Sequence, residues 1–127
     1  MIKVTTKAND IFYFTDMIYP MPCNDGEYGI YCFNYNNKHN TCFLLEDIKS
    51  IGKQVSDLTT NELCVLKIRI NGNNSDPFEV TFVQLDTNTE LKLTDFIDVT
   101  HYIFECAERR KMLEAFDRTL DFDMRRL

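Results

Sequence analysis

Residues 64–93, CVLKIRINGNNSDPFEVTFVQLDTNTELKL, decide the fold class. Cys64, Leu66, Ile68 and Ile70 alternate with Lys67 and Arg69, the two-residue period of a strand whose faces differ in polarity. Asn71-Gly72-Asn73-Asn74 follows, and Asn and Gly tolerate the positive φ angles that tight hairpin turns require. Phe78 to Leu85 is the returning strand, with Phe78, Val80 and Phe82 on a common face. Asp86-Thr87-Asn88-Thr89 then turns the chain into Leu91-Lys92-Leu93, which completes a three-stranded antiparallel meander.

Upstream, most of the chain also reads in period two. Tyr28–Tyr35 and Thr41–Leu45 flank the turn-like Asn36-Asn37-Lys38-His39-Asn40 and form a second hairpin. Ile2 to Thr5 is a short strand. Ile11 to Tyr19 reads as another, ended by Pro20 and Pro22, with a helix capped at Asn9 or Asp10 as the alternative. Between the hairpins, Glu46–Leu63 offers one or two short helical turns, one of them marked by the capping-box pattern Thr59-x-x-Glu62.

Downstream, Phe96, Val99, Ile103, Cys106, Leu113, Phe116 and Leu120 recur near a 3.6-residue period, and Thr94 or Asp95 is placed to cap them. This predicts an amphipathic helix over about 95–119 whose stripe packs on the sheet. Asp95 and Asp98 would favour the positive end of its dipole, and Glu105/Arg109 and Glu114/Arg118 form i,i+4 pairs. The expected architecture is α+β: an antiparallel sheet of five or six strands in hairpins and a meander, covered by one long C-terminal helix in two layers. A chain of 127 residues is sized for a single domain, here 1–127.

Charge narrows the function. Fourteen basic and twenty acidic side chains leave a net charge of −6, with the excess concentrated between residues 76 and 108. That segment holds Asp76, Glu79, Asp86, Glu90, Asp95, Asp98, Glu105 and Glu108 against Lys92 alone. Direct binding of nucleic acid is disfavoured, because phosphate neutralisation needs clustered Lys and Arg. Arg109-Arg110-Lys111, with Arg125 and Arg126, reads as a solvated helix face and tail rather than a stripe. Five cysteines, an odd number without a C-x-x-C pair, point to reduced thiols in a cytoplasmic setting. Cys32, Cys42, Cys64 and Cys106 lie in apolar runs and are expected to be buried, whereas Cys23 lies in a loop beside Asp25 and Glu27, whose charges would raise its thiol pKa. No secretory h-region is visible at the start of the sequence and no apolar run approaches the ~20 residues that span a bilayer, so no membrane partner is expected.

Catalytic patterns are weak. His39 falls in a turn, and His101 sits three residues after Asp98 and four before Glu105, the spacing of a structural ion pair. Ser50, Ser56 and Ser75 lie outside G-x-S-x-G, and the four glycines form no phosphate loop. The expectation is a non-enzyme with no metal and no cofactor. Its function would be that of a small acidic inhibitor that occludes a basic protein partner, such as a nuclease toxin or another nucleic-acid-binding enzyme. Immunity proteins of nuclease toxins, and phage proteins that disable host defence nucleases, are of this general kind. The partner-binding residues would be Asp86, Glu90, Asp95 and Asp98, with Asp76 and Glu79. A chaperone-like or homodimeric assembly module is the competing expectation.

Overall fold

Thr15 bends the Ile11–Tyr19 run into two strands. In the computed structural model, which describes residues 1–23, 26–36, 40–72 and 79–125 and the helix side chains as far as Asp117, this run is extended and not helical. β2 (Ile11–Phe14) pairs with β1 (Ile2–Thr6), and β3 (Asp16–Pro22) pairs with β4 (Tyr28–Phe33). One chain segment therefore serves two sheets. The corner is held by the Thr15 N–H, which donates to the Phe33 carbonyl at 3.0 Å and to Asn34 Oδ1 at 3.0 Å. β3 does not stop at Pro20. It is the edge strand of its sheet, and its register shifts between Ile18 and Met21, so the missing proline N–H falls where no regular ladder bond is lost.

The remaining strands are β5 (Asn40–Leu44), β6 (Ile48–Gln54), β7 (Leu66–Asn71), β8 (Glu79–Gln84), β9 (Glu90–Leu91) and β10 (Phe96–Asp98). Among the described residues they form three antiparallel sheets, in the orders β10-β6-β1-β2, β3-β4-β5 and β7-β8-β9, which corrects the expected single sheet of five or six strands because the chain bends at Thr15 and the meander pairs only within itself. Both hairpins and the meander appear, but the meander's third strand is Glu90–Leu91 instead of Leu91–Leu93, because Lys92 and Leu93 lead into the turn that Asp95 closes. The 71–74 turn, the 37–39 turn with His39, and Phe78 lie wholly or partly outside the described residues.

β6 corrects the reading of 46–63 as helical turns only. Single 3-10 turns occur at Leu45–Asp47, Val55–Asp57 and Glu62–Val65, but Ile48–Gln54 is the inner strand of the four-stranded sheet, paired with β1 on one side and β10 on the other. Gly52 and Lys53 hid it, the first by weak strand propensity and the second by placing a cation at a core position. The Thr59/Glu62 capping box forms reciprocally: the Thr59 N–H donates to Glu62 Oε1 at 2.9 Å and the Glu62 N–H to Thr59 Oγ1 at 3.3 Å.

The helix, α1, runs from Thr100 to Arg125 and begins later than expected. Phe96, Ile97, Asp98 and Val99 also fit a two-residue alternation, with Ile97 and Val99 buried, and pairing with β6 selects it. Asp98 then accepts from the Thr100 N–H at 2.8 Å, while Asp95 closes a separate turn by accepting from the Lys92 N–H at 2.8 Å. Neither Thr94 nor Asp95 caps α1.

The expected stripe is also corrected. Val99, Ile103 and Ala107 are buried, but Leu113 is 64% exposed and Phe116 61% exposed. The inward face continues from Ala107 to Arg110 and Glu114. Arg110 Nη1 donates to the Pro20 carbonyl at 3.2 Å, and the Tyr28 hydroxyl donates to Glu114. Between Ala107 and Asp117 the helix therefore touches the sheet through polar groups and carries Met112, Leu113 and Phe116 away from it. Glu105 pairs with His101 at 2.9 Å rather than with Arg109, and Glu114 with Arg110 at 3.3 Å; the side chains of Arg118, Leu120 and Arg125, and all of Arg126, lie outside the described residues. One contiguous core joins Ile2, Val4, Phe14, Ile30, Ile51 and Ile103 with their buried neighbours. Among the described residues no helix is long and apolar enough to cross a membrane.

Candidate functional site

Two features depart from an ordinary core and surface: a buried ion pair, and a hairpin whose apolar face is uncovered. The ion pair arises because β6 turns Lys53 inward while the capping box turns Glu62 toward it. Lys53 Nζ and Glu62 Oε1 lie 2.8 Å apart, with side chains only 4% and 0% exposed. Lys53 Nζ also lies 5.5 Å from the centroid of the Tyr19 ring. Glu62 Oε2 has no hydrogen-bond partner among the described residues.

Beside this pair, Tyr19, Pro20, Asn61, Tyr102, Cys106 and Arg110 line a cleft of about 250 Å³. The Tyr19 hydroxyl lies 3.0 Å from Thr59 Oγ1, and burial pushes the phenol up to about 12, with Glu62 nearby adding to the shift. Burial, followed by the neighbouring Cys106, also raises Tyr102. Both phenols therefore remain protonated at neutral pH, as hydrogen-bonding groups in the cleft wall. Among the described residues no three His, Cys, Asp or Glu side chains are grouped to hold a metal.

The acidic residues are distributed over several elements. Asp86 and Glu90 flank the β8–β9 turn and are exposed, and Glu90 approaches Arg69 at 3.9 Å. Glu79 opens β8 opposite Asn71, and Asp86 lies past the other end of that strand, which is about 17 Å long at ~3.4 Å per residue. Asp95 and Asp98 do not open the helix together as expected: Asp95 sits in the turn before β10, and Asp98 ends β10 in a different sheet from Glu90. Asp76 lies outside the described residues.

The meander supplies what the sequence reading missed. Leu66 is buried, but farther along the same face Ile68 is 45%, Ile70 64% and Val80 53% exposed. Ile70 stands opposite Val80 and Ile68 opposite Phe82, so these side chains form one cross-strand apolar patch. Alternation marks two-faced strands, but it does not say how far along its length a face stays covered. Among the described residues β7 is also an edge strand, bonded to β8 on one side only.

The cysteines need a second correction. Cys32 is buried, Cys106 and Cys23 are half-buried, and Cys42 and Cys64 are exposed. The Cys23 thiol is pushed up to about 11, first by burial and then by Cys42, whereas the expected causes were Asp25 and Glu27. Burial pushes Cys32 up to about 12. In the reduced native protein, alkylation followed over time by peptide mapping should label Cys64 and Cys42 first and Cys32 last. Equal rates for Cys32 and Cys64 would contradict this placement.

Comparison with protein-family models, curated proteins and solved structures found no match to this chain.

Proposed function

We propose that this chain is a non-catalytic, protein-binding inhibitor that occludes a basic partner, and that the β7–β8 hairpin is its contact element. The observation that carries this reading is the uncovered Ile68/Ile70/Val80 patch on a hairpin that stays anchored to the core through Leu66 and Val83. Exposed apolar clusters on an ordered sheet are recurrent docking surfaces. The net charge of −7 between residues 76 and 108 supplies the long-range field that draws in a positively charged partner. A nuclease is such a partner, because its substrate groove must attract phosphate. Neutralisation of a nuclease toxin and inhibition of a host defence nuclease both belong to this class. The odd set of five free thiols supports action in a reducing, cytoplasmic setting.

The two parts of the surface should act differently on binding. With the partner isolated by pull-down from the source cell, Ile70→Asp with Val80→Asp should weaken affinity at least about 100-fold, mostly through faster dissociation. Reversing Glu79, Asp86 and Glu90 to Lys should slow association and flatten its salt dependence. Asp95 and Asp98 are less informative targets, since their side chains also hold backbone N–H groups and their reversal changes stability too. Unchanged affinity in both sets of variants, with folds verified by circular dichroism, would refute the reading. The free edge of β7 favours a second reading, an assembly module that pairs with its own copy. Light scattering that finds a dimer, lost in the Ile70→Asp/Val80→Asp variant, would decide for it.

A further inference from the structure

Cys23 and Cys42 belong to parts of the sheet that are not neighbours. Cys23 follows the end of β3, Cys42 lies in β5, and β4 runs between those two strands. Their Sγ atoms are nevertheless 3.2 Å apart. Gly29 of β4 provides the room: a Cβ there would come within 2.9 Å of Cys23 Sγ and 2.6 Å of the Phe43 carbonyl oxygen. The Cys23 side chain thus crosses over the one position in β4 where no side chain intervenes. The backbone on both sides is fixed. The Cys23 N–H donates to the Glu27 carbonyl at 2.6 Å, and Cys42 stands in register with Tyr31. Cys42 is exposed and Cys23 half-buried, so a reagent reaches Cys42 first and finds the second sulfur already in place behind it.

We propose that Cys23 and Cys42 are a redox-active dithiol, oxidised by low-molecular-weight disulfides to an intramolecular disulfide that fastens the end of β3 to β5. The Cys42 thiol gives its proton to solvent, and its thiolate attacks one sulfur of the small disulfide. That S–S bond breaks, one small thiol leaves with the bonding pair and takes up a proton, and Cys42 holds a mixed disulfide. The Cys23 thiol then loses its proton to solvent and attacks Cys42 Sγ. The Cys23–Cys42 bond forms, and the second small thiol leaves and is protonated. Two electrons and two protons pass from the protein dithiol, and the small disulfide is reduced to two thiols. Because burial raises the Cys23 thiol, this second step quickens as pH rises.

The test is to incubate the native, fully reduced protein with oxidised glutathione at neutral and at mildly alkaline pH and follow intact mass and peptide maps. The wild type should lose about 2 Da and yield a Cys23–Cys42 cross-linked peptide in at least about tenfold excess over any other cysteine pairing, faster at the higher pH. Cys23→Ser should stop at the intermediate, with one glutathione retained on Cys42, and Cys42→Ser should give no cross-link to Cys23. Denaturing the wild type in urea should remove the preference for this pair. A wild type that keeps glutathione on Cys42 without resolving it, or links another pair in comparable yield, would overturn the proposal whatever the variants do.

Discussion

Glu62→Leu should destabilise the fold by about 3–5 kcal/mol, because it leaves the Lys53 ammonium buried without its counter-charge. Lys53 is 3% exposed and Glu62 fully buried, so water does not replace the lost partner without local opening. The double variant Lys53→Met/Glu62→Leu should recover most of that loss. It removes both desolvated charges together, and apolar replacements of similar size often match a buried pair. Recovery stays incomplete by about 1 kcal/mol, since Glu62 Oε1 also caps the Thr59 N–H. Glu62 Oε2 is unpartnered among the described residues, so the pair is not an optimised network and its removal forfeits little else. Urea unfolding of the two single variants and the double variant measures the coupling directly. A Glu62→Leu cost under 1 kcal/mol, or a double variant no better than the worse single, would contradict this account.

A second large effect separates the two halves of the helix. Ile103→Ala should cost about 2–5 kcal/mol, the range for deleting a fully buried aliphatic side chain and leaving a cavity. Ile103 is 0% exposed, and its N–H continues the helix from the Val99 carbonyl at 3.0 Å. Phe116→Ala should cost less than about 1 kcal/mol despite the larger side chain, since most of its surface is already in water. The two variants measured side by side in urea place the point where the helix leaves the core. Similar losses for both would mean that Phe116 is covered.

The same pair of residues shows how much of the architecture was legible beforehand. Ile103 and Phe116 fit one helical period equally well, and a period reports which side chains share a face but not where the opposing sheet ends. Polar contacts at Arg110 and Glu114 then take over the inward face, and composition gives no warning of that. Phe96–Val99 shows a related ambiguity: 96/99/103 satisfies the helix and 97/99 the strand, and only the partner strand β6, some forty residues earlier, decides between them. β6 itself was obscured by the lysine at its core. The hairpins were legible because each carries its own turn residues and alternation within a short span. The same holds for the capping box, whose two residues are three apart, while its link to Lys53 spans nine and was not. For the candidate site, the acidic residues were visible in composition, but the uncovered hairpin face depends on what fails to pack against it. The Cys23–Cys42 contact depends on a glycine in a strand between the two cysteines.

β6 has one further consequence, for the order in which the chain is made. Its first edge is matched by β1, already synthesised when Ile48–Gln54 appears, but its second edge waits for β10. From Gln54 to Asp98 is 44 residues, so at ~5–20 residues per second the growing chain carries that unmatched edge for roughly 2–9 s. During that interval the edge is a template for any extended segment nearby, including the same segment of a neighbouring nascent chain. Gly52 and the two lysines at 49 and 53 fall within this stretch and make it a poorer template than an all-aliphatic strand would be. The residues that obscured the strand in the sequence are thus the ones that protect it while the ribosome is still at work.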